Sequence, residues 1–337
     1  MNVPTTMRAM VFTGPHRSLE LREVDVPTPT PGQVLVRVHA CGVCRTDLHI
    51  IDGELPDALS TVILGHEVVG EIVQSPGQDG ASLLPAGTRV GVPWLGSTCG
   101  HCAYCISGRE NLCASALFTG YHVHGGYAEY ALADARYVFP LPPSYDDVHA
   151  APLLCAGLIG YRAYAMAGDA QTLGLYGFGA AAHLVAQVAL AQGRTVFAFT
   201  RPGDREGQAF ARRLGAHWAG GSDQRPPTLL DAALLFAPAG ALVPAALGCT
   251  THGGTVICAG IHMTDIPTFT YALLWGERSV RSVANLTRRD AEAFLTVAAA
   301  TPLAVHATPY AFTDANAALA DLRNGKVEGA AVLTMLH

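Results

Sequence analysis

Four closely spaced cysteines are the clearest chemical feature of the chain. Cys99, Cys102, Cys105 and Cys113 are separated by two, two and seven residues. Four thiolates fill the coordination positions of one tetrahedral ion, so the site that they form is structural. An iron–sulfur cluster is the main alternative, but the bacterial ferredoxin pattern ends with a gap of three residues and a proline, whereas Ala114 follows here. We therefore predict a structural zinc site in a lobe at residues 95–115.

A second set of metal-binding side chains remains once those four cysteines are assigned. Cys44, His66 and Cys155 are far apart in the sequence. Each alone has an ordinary explanation, because a free cysteine is commonly a small core residue and a single histidine is more often structural. Together they supply two thiolates and one imidazole, an incomplete set that keeps one position open, as zinc chemistry on a substrate requires.

A glycine-rich turn predicts a dinucleotide site. The segment from Gly177 through Gly179 to Ala182 has the pattern G-x-G-x-x-A, with an apolar strand predicted before it and an uninterrupted helix after it. The first glycine makes the turn, the second lets the backbone approach a pyrophosphate, and the third position must be small for the helix to pack. The helix N-terminus adds amide donors for phosphate.

The end of the next predicted strand indicates which dinucleotide is bound. NAD-binding proteins place an acidic residue there for the ribose 2′-hydroxyl. This chain has Thr200 and Arg201, and no carboxylate occurs before Asp204. We expect NAD(P) with a preference for NADP, in which Thr200 and Arg201 contact the 2′-phosphate. The alternative is that Arg201 is only a solvated loop charge.

Composition and length restrict the class of protein. The 337 residues suit two domains, and a content of 50% hydrophobic and 14% charged residues with net charge −6 argues against nucleic acid as a partner.

We expect no membrane span, because the best candidate, 232–248, is short and contains Pro238 and Pro244. The chain has nine cysteines, an odd number, with a cluster at metal-ligand spacing, and no export signal is recognisable. We therefore expect zinc thiolates rather than disulfides, and the cytoplasm as the compartment. Sparse surface charge favours a homo-oligomer.

The pattern of predicted secondary structure changes once along the chain. Short Val-rich runs broken by Pro and Gly, between Met7 and Leu141, predict an all-β, loop-rich domain. Alternating strands and helices after Tyr145 predict a doubly wound parallel sheet, so the fold class is α/β. Predicted strands cover 172–176, 195–199, 232–236, 255–259, 279–283 and 330–336, and predicted helices cover 180–191, 204–214, 289–300 and 314–324.

The chain resembles the zinc-dependent alcohol dehydrogenases of the medium-chain dehydrogenase/reductase superfamily. The matching segments occur in the same order and cover nearly the whole length of the chain. The matching segments are Cys44-Arg-Thr-Asp-Leu-His49, Leu64-Gly-His-Glu67, the four-cysteine lobe, Gly125-Gly-Tyr-Ala-Glu-Tyr130, Leu154-Cys-Ala-Gly157 and the Gly177 turn. The resemblance implies a GroES-like, β-rich catalytic domain at 1–155, to which 288–337 returns, and a Rossmann dinucleotide-binding domain at 156–287.

The resemblance also implies a role for each site residue. Cys44, His66 and Cys155 would bind the catalytic zinc, with Glu67 behind it as an occasional ligand. Asp47 would orient His66 by accepting its other ring N–H. In the proton relay, Thr46 would accept the substrate hydroxyl proton and His49 would pass it through the cofactor ribose to water. Arg45 would bind the pyrophosphate of the cofactor. Trp94 would form the substrate pocket wall, with a plain core tryptophan as the alternative.

The implied activity is reversible hydride transfer between a primary or secondary alcohol and NAD(P), in a homodimer or homotetramer with two zinc ions per chain. The alternatives are a zinc-free quinone or enoyl reductase of the same superfamily and a non-catalytic zinc-binding interaction or redox-sensing protein. Two departures from the family concern ligand binding. Ala330 stands where a basic residue often helps to bind cofactor phosphate, and Asp52-Gly-Glu-Leu-Pro56 lacks the tryptophan that narrows the pocket for small alcohols.

Overall fold

The computed structural model describes residues 3–55, 57–76 and 84–335. Within these ranges the strands, numbered along the chain, are β1 Thr6–Phe12, β2 Glu20–Asp25, β3 Gln33–Val43, β4 Val62–Ile63, β5 Val68–Gln74, β6 Arg89–Val92, β7 Leu95–Ser97, β8 Leu117–Phe118, β9 Tyr130–Asp134, β10 Phe139–Pro140, β11 Thr172–Tyr176, β12 Thr195–Thr200, β13 Trp218–Gly221, β14 Leu230–Leu235, β15 Thr250–Cys258, β16 Ser279–Ser282, β17 Ala307–Ala311 and β18 Ala330–Thr334.

The helices in the same ranges are mostly short. They are α1 Arg45–Ile51, α2 Ala103–Ile106, α3 Asp147–Ala150, α4 Ala156–Met166, α5 Ala180–Ala191, α6 Arg205–Arg213, α7 Leu242–Leu247, α8 Tyr271–Leu274, α9 Arg288–Ala300 and α10 Ala315–Arg323. Single turns of 3-10 helix occur at Glu110–Leu112, Ala135–Tyr137, Ala151–Leu154 and Phe312–Asp314. In the described ranges, no helix is both long and apolar enough to cross a membrane.

The chain divides into two compact units. The first comprises 1–155, 286–299 and 305–337, and the second comprises 156–285 and 300–304. The sequence-based division placed 288–337 wholly in the first domain and ended the second at 287. In the structure, the short segment 300–304, which follows α9, groups with the second unit instead.

The first unit is built on a mixed, largely antiparallel sheet. Its strand order is β10-β6-β5-β3-β18-β17, and β9 also pairs with β3. The returning strand β18 pairs antiparallel with the end of β3, next to Cys44. A smaller sheet, β2-β1-β4, completes the unit with a short two-stranded sheet, β7-β8.

The prediction that the region from Met7 to Leu141 is all-β is wrong at α1. The Cys44 N–H donates to the Asp47 carboxylate at 2.9 Å, and the Cys44 side chain caps the N3 amide in return, so the two residues form a capping box. Asp47 lies at the third helical position, where its negative charge interacts favourably with the positive end of the helix dipole and so stabilises the helix. The short helix is therefore encoded by the same residues that the metal site uses.

The second unit confirms the doubly wound prediction. Its strands form one parallel sheet of order β13-β12-β11-β14-β15-β16. Helix α5 has the predicted bounds, and the apolar segment 232–248 forms the end of β14, a turn and α7. Strand β18, outside this unit, ends at Thr334; Leu336, where the predicted strand ended, lies outside the described residues.

Candidate active site

Helix α1 and its N-cap carry five of the predicted site residues: Cys44, Arg45, Thr46, Asp47 and His49. Cys44 immediately follows β3 and caps the helix. Thr46 Oγ1 lies 3.8 Å from Cys44 Sγ, and Thr46 is buried. His49, three residues later, is on the same side of the helix as Thr46 because side chains three apart are neighbours. Arg45 is exposed at the helix start.

Asp47 holds His66 through a fully buried network. Asp47 Oδ1 is 3.4 Å from both His66 Nδ1 and the Gly65 amide, and Oδ2 accepts hydrogen bonds from the Cys44 amide at 2.9 Å and the Tyr127 hydroxyl at 3.1 Å. Gly65 has φ +93, and a Cβ there would overlap the Tyr127 ring at 2.3 Å, so only glycine permits this packing. The carboxylate therefore fixes the orientation of His66.

The Cys44, His66 and Cys155 side chains meet at one point, and their spacing fits zinc. The two sulfurs are 3.7 Å apart, and the ligand atoms of this trio and Glu67 all lie within 4.8 Å of one another. Tetrahedral zinc with Zn–S bonds of about 2.3 Å separates two thiolates by about 3.8 Å, whereas a disulfide needs about 2 Å. Both His66 ring nitrogens are buried and lack a hydrogen-bond partner among the described residues; Nδ1 faces the Asp47 carboxylate at 3.4 Å, which leaves Nε2 as the nitrogen that could bind a metal.

The electrostatics of this cluster favour a cation. A hydrogen bond from the Cys155 thiol holds the pKa of Cys44 well below its usual value, and the pKa of Cys155 is raised well above it for the same reason. Burial alone would lower the pKa of His66, but the Asp47 carboxylate and the Cys44 thiolate outweigh burial and raise it. Without a metal, the cluster therefore attracts a proton, which a bound zinc ion would replace.

Glu67 stands behind the two thiols in a space made by a glycine. A Cβ on Gly42 would lie 1.8 Å from Glu67 Oε2, so that the carboxylate occupies the position of a missing side chain. Glu67 is only 3% exposed. Burial raises the pKa of Glu67 well above its usual value, with the Cys44 thiolate adding to the effect. A bound cation would favour the ionised form again.

Trp94 contacts His66 and also belongs to the hydrophobic core. Its ring meets the His66 ring edge-on with centroids 4.8 Å apart, and it stacks on Phe118 at 5.2 Å and Tyr121 at 5.6 Å. Trp94 is 7% exposed. A wall of aromatic rings therefore begins at the ligand itself, so the two interpretations of Trp94 are compatible.

The four-cysteine lobe has the dimensions of a single-ion cage. Three Sγ–Sγ distances, Cys99–Cys105, Cys102–Cys105 and Cys99–Cys113, are 3.8, 3.6 and 3.6 Å. These equal the edges of a zinc tetrathiolate, about 3.8 Å, whereas cysteines on a four-iron cluster bind different irons and stand further apart. Backbone N–H groups of His101 and Cys102 lower the pKa of Cys99 to about 6, so this thiol is readily ionised.

The nucleotide fingerprint lies between β11 and α5 with the expected geometry. Gly177 has φ +86, and a Cβ there would be 2.8 Å from the Ala237 backbone. A Cβ on Gly179 would meet nothing within 4 Å, which leaves room for a ligand above the amides that begin α5. Ala182 is fully buried, as its packing role requires. These residues fit a pyrophosphate.

Thr200 and Arg201 lie at the carboxyl end of β12 but differ in accessibility. Thr200 is buried, and its hydroxyl donates to the Arg201 and Gly220 carbonyls and accepts from Gln208. Arg201 is exposed. At this end of the strand the Arg201 side chain is therefore accessible to a ligand, whereas the Thr200 hydroxyl is not.

Two residues at the catalytic site were not singled out from the sequence. Tyr127 contacts Asp47 across 80 positions of sequence. Glu54 Oε2 pairs with His49 Nδ1. Tyr127 lies in the quoted Gly125–Tyr130 motif, but nothing in one sequence marks its hydroxyl as a partner of Asp47. The Asp52-Gly53-Glu54 sequence after α1 is a helix C-cap pattern that would have predicted the return of Glu54 toward the helix.

Comparisons with known proteins agree with this geometry. Residues 30–143 match the family model described as the alcohol dehydrogenase GroES-like domain. A Mycobacterium tuberculosis protein described as "Probable alcohol dehydrogenase AdhA" is 48% identical, covering 95% of this chain and 93% of that protein. An alcohol dehydrogenase of Moraxella is 36% identical, covering 97% of this chain and 99% of that protein.

A solved structure extends the likeness to the whole fold. The acetophenone reductase of Geotrichum candidum in complex with NAD is 27% identical, with a TM-score of 0.88 over 99% of this chain and 98% of that chain. These relatives do not favour a zinc-free or non-catalytic protein. The chain belongs to the zinc-type medium-chain alcohol dehydrogenase family and is an NAD(P)-dependent oxidoreductase.

Proposed function

We propose that the chain oxidises small to medium primary or secondary alcohols, and reduces the corresponding aldehydes or ketones, at a zinc ion held by Cys44, His66 and Cys155. The observation that carries this proposal is the buried thiol pair, 3.7 Å apart, beside a His66 Nε2 without a hydrogen-bond partner among the described residues. Three protein ligands leave one position for the substrate oxygen.

The chain's own residues would bind and move the proton. When bound, zinc supplies Lewis acidity that eases loss of the hydroxyl proton, and the nicotinamide supplies the hydride acceptor. Thr46 accepts that proton, and His49 carries it toward water. Asp47 keeps His66 in the metal-binding tautomer, and Glu67 acts behind the site as an occasional ligand.

The substrate pocket is proposed to be lined by aromatic rings and to be roomier than in relatives for small alcohols. Trp94 forms the wall nearest His66. In the stretch after α1, Leu55 packs against the hydrophobic core where small-alcohol enzymes have tryptophan nearby. Pro56, the last residue of that stretch, lies outside the described residues.

A second zinc per chain would be structural. The S–S distances of 3.6–3.8 Å in the four-cysteine lobe support one tetrahedral ion there. Zinc thiolates at both sites, rather than disulfides, support a reducing compartment, and we propose the cytoplasm.

The cofactor proposal is a preference for NADP. Gly177, Gly179 and Ala182 would supply the pyrophosphate turn, and the pyrophosphate role of Arg45 is carried over from the family resemblance. The exposed Arg201 directly after β12 supports recognition of a 2′-phosphate. Ala330 is buried in β18 and supplies no charge, so Arg201 carries more of this preference.

A homodimer or homotetramer is the proposed assembly. The second unit exposes large apolar side chains in the segment that precedes its edge strand β16, among them Tyr271 at 72% and Trp275 at 63% exposure. Apolar surface next to an edge strand is unusual in a monomer and favours contact with a second copy.

One experiment tests the reaction, the metal and the cofactor together. Steady-state kcat/KM is measured for alcohols from ethanol to benzyl alcohol with NAD and with NADP, before and after removal of exchangeable zinc. We expect loss of at least about a hundredfold on chelation, restoration by added zinc, and higher kcat/KM with NADP. Two zinc ions per chain should be found before chelation.

Other outcomes contradict particular parts of the proposal. Activity that survives complete removal of exchangeable zinc would contradict the zinc mechanism. A higher kcat/KM with NAD would contradict the cofactor preference, and a single zinc ion per chain in a fully active enzyme would contradict the structural zinc.

A further inference from the structure

The segment after α1 brings a carboxylate onto the proposed relay histidine. Gly53 has φ +70, a left-handed conformation that ends the helix and reverses the chain. The Glu54 amide then donates back to the His49 carbonyl at 2.9 Å, and Glu54 Oε2 pairs with His49 Nδ1. The contact is made by backbone and side chain together, so the carboxylate is held in place.

The two side chains of this pair differ in exposure. The His49 side chain is 14% exposed and the Glu54 side chain is 42% exposed. Glu54 is therefore the more solvent-accessible member of the pair. The pair begins three residues beyond Thr46, on the same side of α1.

The other charges around the pair are already engaged. Arg323 of α10 binds Asp52 through two bonds of 2.7 Å. His16 lies against the end of α1, where its amide donates to the Ile51 carbonyl at 2.7 Å, and its charge acts on Asp52. The charges of Glu54 and Arg323, and those of His49 and Asp52, also act on each other, but the hydrogen bonds pair Asp52 with Arg323 and Glu54 with His49.

We infer that Glu54 is a positioning residue for proton transfer: it accepts the His49 Nδ1–H and so presents Nε2 as the nitrogen that takes up the substrate's proton. A histidine that donates one ring N–H to a carboxylate is fixed in a single tautomer and orientation. When Nε2 gains a proton, the ring becomes an imidazolium that stays paired with the Glu54 carboxylate, and loss of the Nε2 proton to water returns the pair to its starting state. The inference rests on the proposed relay role of His49.

The test compares single-turnover rates of hydride transfer at saturating alcohol in the zinc-loaded enzyme. Glu54→Ala should lower the rate about tenfold, raise its solvent deuterium isotope effect, and leave the KM for alcohol within about twofold. Glu54→Gln, which keeps an acceptor oxygen, should recover part of the rate. Glu292→Ala, which removes an exposed carboxylate from α9, is the matched control and should behave as wild type.

A double-mutant cycle separates positioning from a structural role. Once His49→Gln has removed the imidazole, adding Glu54→Ala should change the rate by less than about twofold. Equal losses in both backgrounds, or an unchanged rate in Glu54→Ala alone, would overturn the inference. A wild-type rate in His49→Gln would instead overturn the relay role on which it rests.

Discussion

Asp47 connects more parts of the metal site than any ligand does. Its carboxylate binds the amide of one ligand, Cys44, faces the imidazole of another, His66, and accepts the Tyr127 hydroxyl. It is fully buried, so each of these contacts offsets a desolvation cost that water cannot relieve. Loss of one contact should therefore weaken metal binding before it weakens the fold.

Tyr127→Phe isolates one of these contacts. Burial and the nearby Asp47 carboxylate raise the pKa of Tyr127 well above its usual value, so its hydroxyl remains a donor at working pH. Without that donor, we expect zinc affinity at the Cys44, His66 and Cys155 site to fall about tenfold. Competition with a chromogenic chelator measures the affinity, and excess zinc should restore most of the activity.

The control for this variant is the same substitution at another buried tyrosine of the same unit. Tyr145 donates to the Ala298 carbonyl at 3.1 Å, away from both metal sites. Tyr145→Phe and Tyr127→Phe should each lower the free energy of unfolding by about 1 kcal/mol, but only Tyr127→Phe should lower zinc affinity. Equal zinc affinity in the two variants would show that Tyr127 does not support the site.

At the scale of elements, local patterns could be predicted and distant contacts could not. Helix α5 has the expected bounds because a glycine turn precedes it and an uninterrupted apolar run forms it. Helix α1 was missed because its signals, Cys44 and Asp47, were already assigned to chemistry. The metal-ligand set followed from residue types, but the Tyr127–Asp47 contact depends on how β4, β5 and the 125–127 segment pack, which no spacing reveals.

The four-cysteine lobe is an element whose stability should depend on metal. Its regular structure is limited to the short strand β7, α2 and one 3-10 turn, and it exposes Tyr104, Ile106 and Leu112. If the proposed zinc binds here, thiol–metal bonds would be the main constraint on this part of the chain. The free energy of metal binding in such a lobe is folding free energy.

Cys113→Ser should separate the structural site from the catalytic one. We expect one zinc ion per chain instead of two, a fall in Tm of about 10 °C from the loss of a few kcal/mol, and early proteolysis within 95–115. Metal analysis, thermal unfolding and limited proteolysis measure these changes. Turnover per catalytic zinc should stay within about threefold at low temperature.

Cys155→Ser is the matched variant at the other site. It should lose one zinc ion and nearly all activity, with a smaller change in Tm, because Cys155 is held by the first unit's buried 3-10 turn and core. If Cys113→Ser abolished turnover while the catalytic zinc and Tm were retained, the lobe would have a role in the reaction.

At the scale of the whole molecule, the distribution of exposed apolar residues favours self-association. The described residues place an exposed Val280 on β16, the last strand of the parallel sheet, and β16 pairs there only with β15. Its outer edge carries backbone groups that a strand of another copy can bind. Tyr271 and Trp275 precede this strand in the sequence and add apolar area.

Val280→Lys should therefore shift the protein toward the monomer. A lysine adds charge to the edge, and in a two-fold assembly the substitution would be present on both chains. Analytical ultracentrifugation over a range of concentrations should show the dissociation constant raised at least about tenfold. Leu21→Lys, on the edge strand β2 of the first unit, is the matched control, since Leu21 is 52% exposed. A monomeric wild type, or an equal effect of both substitutions, would exclude β16 as the interface.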